Sequence, residues 1–97
     1  MCIRDRGNAA DVTFINDLVN LAKKHFGKVT IAIANAGITL FGDFFTYSPE
    51  AFQRVVELNL LGSFFLAQAT AKQIKEQQTG GSILFMSSVT GLSLIHI

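Results

Sequence analysis

The chain has 97 residues, a formal charge of +1 and 49 % hydrophobic residues, with one cysteine and no tryptophan. A single cysteine rules out a disulfide framework and a thiolate metal cluster, and near-neutrality leaves no basic patch for nucleic acid and no charged tail for a membrane surface. No apolar run reaches the roughly 20 residues that cross a bilayer, so the expectation is one small globular unit of cytoplasmic character.

The two ends read differently from the middle. Leu92–Ile97 (LSLIHI) and Met1–Arg6 (MCIRDR) are translations of one short DNA element in its two orientations. That element resembles the mosaic end used in transposase-based sequencing libraries. Residues 1–6 and 92–97 are therefore expected to be adaptor-derived scars, and 7–91 the natural segment. Cys2 and His96 fall in the scars; without Arg4, Arg6 and Asp5 the remaining segment is formally neutral.

Gly7–Gly27 predicts a helix. Asn8 is the expected cap, and Asp11 at the third helical position places negative charge near the positive end of the dipole. Ile15, Leu18, Val19, Ala22 and Phe26 recur at helical spacing and form one apolar face. Lys23, Lys24 and His25 occupy the last turn, where cations are favoured, and Gly27 supplies the stop. His25 reads as a solvated last-turn residue rather than a ligand.

Ile31-Ala32-Ile33-Ala34 then runs without polar alternation and stops at Asn35-Ala36-Gly37. Such a run suits a strand buried on both faces in a parallel sheet. Ligands of such sheets bind beyond the carboxyl ends of the strands. Ile38–Ser48 is a loop carrying Phe41, Phe44, Phe45 and Tyr47, which either pack it onto the domain or line a cleft.

Ser48-Pro49-Glu50 is a compact helix start, and the helix runs from Pro49 to about Gln77 with a bend expected near Asn59–Ser63. Its middle (Leu60, Leu61, Phe64, Phe65, Leu66, Ala67, Ala69) is apolar around most of the circumference. That predicts burial against the sheet on one side and a partner subunit on the other. Gly80-Gly81 turns the chain into Ser82–Met86, a second apolar strand ending at Ser87-Ser88. Helix, strand, helix, strand implies an α/β unit with parallel strands and right-handed crossovers.

Three features carry chemistry. Asn35, Ala36 and Gly37 allow a flat ligand to approach the backbone, and Asn35 has an amide able to tie strand ends together. Asn59 interrupts an apolar stretch, and a buried amide there needs partners. Ser87 and Ser88 offer hydroxyls able to donate to an oxygen that gains charge during a reaction. Each alone reads as structural rather than functional.

Together, IAIANAGI at Ile31–Ile38, SPEAFQRVVELNLLGSFF at Ser48–Phe65 and GGSILFMSSVTG at Gly80–Gly91 resemble the middle segment of the short-chain dehydrogenase/reductase family. LVNLAKKHFGKV at Leu18–Val29 fits the family's preceding helix, and Ala34 stands where the family often has a second Asn. The resemblance implies a partial Rossmann-type doubly wound parallel sheet. It implies that Asn35, Ala36 and Gly37 lie beside the adenosine ribose of NAD or NADP, and that Asn59 bends its helix and holds a water of a proton relay. Ser88 would position the substrate oxygen, with Ser87 as the alternative register.

The implied reaction is reversible hydride transfer between the nicotinamide cofactor and a small-molecule carbonyl/alcohol pair. Sugar alcohols, 3-oxoacyl thioesters and steroids all fit this segment. The family's proton donor lies in a Tyr-x-x-x-Lys motif after the serine, which this chain does not reach, and Tyr47 stands too early to be it. The glycine-rich pyrophosphate turn is likewise absent. The segment alone is thus expected to be inactive and aggregation-prone, and the full-length protein to be a homo-oligomer through the long helix. A non-enzymatic dinucleotide-binding or regulatory protein on the same fold is the alternative. A response-regulator reading would need an acidic strand-end cluster, which Asp11 and Asp43 do not form.

Overall fold

A computed structural model describes residues 5–88; most of both expected scars, and the Val89–Gly91 end of the natural segment, lie outside it. The first helix, α1, spans Val12–Phe26. Its cap is Asp11, not Asn8: the Asp11 carboxylate accepts from the Thr13 and Phe14 amides at 2.9 and 3.5 Å. Asn8 instead closes the turn before it, its side chain accepting from the Ala10 amide at 2.9 Å. Both residue types suit capping, and the one adjacent to the apolar periodicity takes the helix. Gly27 ends α1 at φ 84° with its amide on the Lys23 carbonyl, a conformation that costs glycine nothing.

Strand β1 (Ile31–Ala34) pairs in parallel with β2 (Ser82–Phe85), Ile31 opposite Ser82 and Ala34 opposite Phe85. Between them run a short 3₁₀ turn at Phe44–Thr46, helix α2 (Pro49–Val56), a π-helical segment at Glu57–Gly62 and helix α3 (Ser63–Gln77). The expected single long helix is thus continuous but wound wider at the expected bend. Ser48 caps it by accepting from the Ala51 amide at 3.1 Å, and Pro49 takes the first helical position, where its missing N–H costs no bond.

Helix α3 packs against α1 and against both strands. Ile15, Val19, Val29 and Ala34 form the buried apolar core. Among the described residues only one face of β1 is covered: Ile31 and Ile33 are 65 % and 53 % exposed, in line with the uncovered apolar surface expected of the segment alone. Side chains alternate along a strand, and α3 covers only the Ala32/Ala34 side. The outer side of the long helix is also uncovered, with Phe52, Leu60 and Phe64 all more than half exposed. No helix among the described residues is long and apolar enough to cross a membrane.

Two amide side chains fix the long helix to the two ends of β1. At the lower end, Gln77 accepts from the Val29 amide at 2.7 Å and donates to the Val29 carbonyl at 2.8 Å. Gln73, itself buried, donates to the same Gln77 oxygen, and Gln77 donates also to Thr79. Asn59 does the equivalent at the upper end.

Candidate functional site

Asn59 lies inside the π segment, one turn before Gly62. Its side-chain oxygen accepts from the Ile38 amide and its nitrogen donates to the Ile38 carbonyl, both at 2.9 Å. The pair mimics a strand ladder and ties the helix to the backbone just past the end of β1. Sequence reasoning treated Asn59 as buried. It is exposed among the described residues, and what it satisfies is the peptide of Ile38 rather than its own burial. The wider π turn is a feature that recurs at functional sites.

The clamp brings Gly37 against the helix. A Cβ there would stand 3.3 Å from the Asn59 side-chain oxygen, so only a residue without a side chain lets the strand end approach without displacing the amide. Gly62 permits a second close approach, since a Cβ on it would come within 2.5 Å of the Ala9 carbonyl oxygen. The loop leading into α1 thus sits directly on the π segment.

Above the two strand ends is a cleft of about 460 Å³ whose walls include Asn35, Ala36, Gly37, Asn59, Ser87 and Ser88. All five positions singled out by the sequence, and the alternative serine, therefore share one cavity. The Asn59 amide is engaged on Ile38, and Ser88 has a bonding partner. The side chains of Asn35, Ser63 and Ser87, by contrast, make no hydrogen bond with described residues, so among these residues Asn35 ties no strand ends together. Among the described residues no acidic or basic side chain lines the cleft, and this part of its wall offers uncharged donors and acceptors.

A narrower apolar cavity of about 180 Å³ adjoins it between α1, β1 and the long helix. Ala34, Asn35, Ala36 and Ser63 line both. Ser63 was not singled out from sequence, although it stands four residues after Asn59 and so on a neighbouring helix face. Gln77 was missed as well, because a glutamine near a helix end carries no pattern that distinguishes a clamp from a solvated residue. Phe41, Phe44 and Phe45 neither pack onto the described domain nor line the cleft; each is at least 88 % exposed. Their loop closes on itself instead, through the Tyr47 hydroxyl donating to the Leu40 carbonyl at 2.6 Å and Asp43 capping Phe45.

Residues 5–96 match the profile of the family described as short chain dehydrogenase. The chain is 42 % identical over 82 residues to a 3α-hydroxysteroid dehydrogenase of Mediterraneibacter gnavus, covering 84 % of this chain and 32 % of that one. It is 40 % identical over 75 residues to an L-rhamnose-1-dehydrogenase of Scheffersomyces stipitis, covering 77 % and 29 %. Among solved structures, a short-chain type dehydrogenase/reductase from Mycobacterium marinum superposes with a TM-score of 0.88 at 27 % identity, over 95 % of this chain and 37 % of that one. ElxO with NADP bound superposes at 0.83 with 28 % identity, over 94 % and 37 %. The chain thus spans about a third of the length of the curated relatives it matches.

Proposed function

The chain belongs to the short-chain dehydrogenase family, and from that membership we propose that it is the central segment of an NAD- or NADP-dependent oxidoreductase interconverting an alcohol and a carbonyl compound. The observation that carries the reading is the single cleft shared by Asn35, Ala36, Gly37, Asn59, Ser87 and Ser88 at the carboxyl ends of two parallel strands, where such sheets bind ligands.

The residues fit a dinucleotide. Glycine at position 37 leaves no side chain over the strand end, the Asn35 amide is open to the cleft, and the wall formed by the described residues is uncharged. Asn35, Ala36 and Gly37 would hold the ribose side of the cofactor, which when bound supplies or accepts the hydride. ElxO, similar in fold, is a protein crystallised with NADP and NADPH.

On the protein side the division of labour follows from charge. A carbonyl that receives hydride gains negative charge on oxygen, and the Ser88 hydroxyl is the donor for that oxygen. A serine hydroxyl is too weak an acid to give up its proton at neutral pH, so a separate general acid is needed. Asn59 acts as a positioning residue, its side chain holding the Ile38 peptide beside the cleft. The exposed Phe52, Leu60 and Phe64 stripe supports a second subunit docked along the long helix.

The test uses the full-length protein that carries this segment. Purified protein is offered NAD and NADP with a hexose, a hydroxysteroid and a short aliphatic secondary alcohol, and nicotinamide reduction is followed by absorbance. Turnover with at least one pair is expected. Tight dinucleotide binding without turnover of any alcohol or ketone would favour a binding or regulatory protein instead.

A further inference from the structure

We infer that Ser63 is a ligand-contact residue of the cleft, its hydroxyl meeting an alcohol group of the ligand that lies along residues 34–36. The inference rests on the dinucleotide-dependent reading above and adds a recognition residue to it.

Ser63 is the first residue of α3, directly after the π segment. A helical serine can satisfy its hydroxyl by bonding back to the carbonyl four residues earlier or by facing solvent. Here that position is Asn59, inside the wider turn, and the back-bond is not made. The half-buried Ser63 hydroxyl has no hydrogen-bond partner among the described residues. Water can serve it in the free protein, and a ligand group that displaces such a water must replace its bond.

Its location narrows what that group is. Both cavities are lined by Ala34, Asn35, Ala36 and Ser63, so the hydroxyl shares its wall with the open Asn35 amide. Among the described residues no charged side chain stands in the cleft to recognise a carboxylate or phosphate. A hydroxyl and an amide on one wall each both donate and accept. That pairing suits a ligand with neighbouring alcohol groups, found in a cofactor ribose and in a sugar-like substrate. These two sources share the chemistry and separate in kinetics.

The experiment compares the full-length protein with Ser63→Ala and Ser63→Thr. Binding of NADH and NADPH is titrated by nicotinamide fluorescence, and KM and kcat are measured with the best alcohol of the panel above. Loss of one neutral hydrogen bond predicts a fivefold to tenfold weakening in Ser63→Ala, with kcat little changed and with recovery in Ser63→Thr. A rise in the dinucleotide Kd assigns the contact to the ribose; a rise in the alcohol KM alone assigns it to the substrate. Values within twofold of the parent for both, or a fall in Tm with binding unchanged, overturn the inference while the functional reading stands. A parent protein that neither binds dinucleotide nor turns over an alcohol overturns both.

Discussion

Replacing Asn59 by alanine removes two hydrogen bonds that hold the backbone of Ile38, each 2.9 Å long and joining residues 21 positions apart. Both are exposed, so each sits at the low end of the usual net contribution, about 0.5 kcal/mol. The pair is then worth about 1 kcal/mol, close to a fivefold change in a local opening equilibrium. The Ile38 amide donates to the Asn59 oxygen, which makes it a direct reporter. Amide hydrogen exchange in the full-length protein is expected to speed up about fivefold at Ile38 in Asn59→Ala. In Gln53→Ala, which loses only the exposed Gln53–Glu57 hydrogen bond on the same helix, Ile38 exchange is expected to stay unchanged. Asn59→Asp keeps the acceptor for Ile38 but sets a carboxylate oxygen against its carbonyl, and should fall between alanine and the parent. Unaltered exchange at Ile38 in the alanine variant would refute the view that this side chain holds the rim of the cleft.

Two further substitutions test how the long helix is seated. Gly62→Ala drives a methyl group toward the Ala9 carbonyl, 2.5 Å from the ideal Cβ position, and a backbone atom cannot rotate away. A loss of about 1 to 3 kcal/mol is expected, read by calorimetry as a clear drop in Tm; an unchanged Tm would contradict the close approach. Gln77→Leu leaves the amide and carbonyl of the buried Val29 without their side-chain partners, a loss of about 2 kcal/mol or more. Urea unfolding should show a lower midpoint with an unchanged slope, and a midpoint equal to the parent's would reduce the clamp to a surface contact.

Much of the layout was legible because it depends on local signals. The stop at Gly27, the Ser48-Pro49 start and the two apolar runs each follow from backbone preferences of the residues concerned, and the structure has all four. The parallel pairing of the runs follows from the helix between them. What the described residues leave open depended on neighbours. The burial of Ile31 and Ile33 assumed a covered second face, which the described residues do not supply. Asn8 and Asp11 both carry capping side chains, and three residues' difference in where the helix begins cannot be separated by type alone. Among the described residues Phe41, Phe44 and Phe45 neither pack onto the domain nor line the cleft.

The site divides in the same way. Asn35, Gly37 and the two serines announce themselves by standing at the ends of apolar runs, and Asn59 by interrupting one. Ser63 gives no such signal, since a serine beside Gly62 reads as an ordinary helix residue. It becomes visible only when the π segment sets its hydroxyl, unpartnered, on the wall that β1 also forms.

The most direct test of the whole account is Ser88→Ala in the full-length protein, assayed for hydride transfer and for dinucleotide binding in the same preparation. If Ser88 donates to the oxygen that gains charge, kcat falls about 100-fold or more while the dinucleotide Kd stays within twofold of the parent. A variant that keeps the parent's kcat would contradict the assignment of this cleft as the place where the reaction occurs.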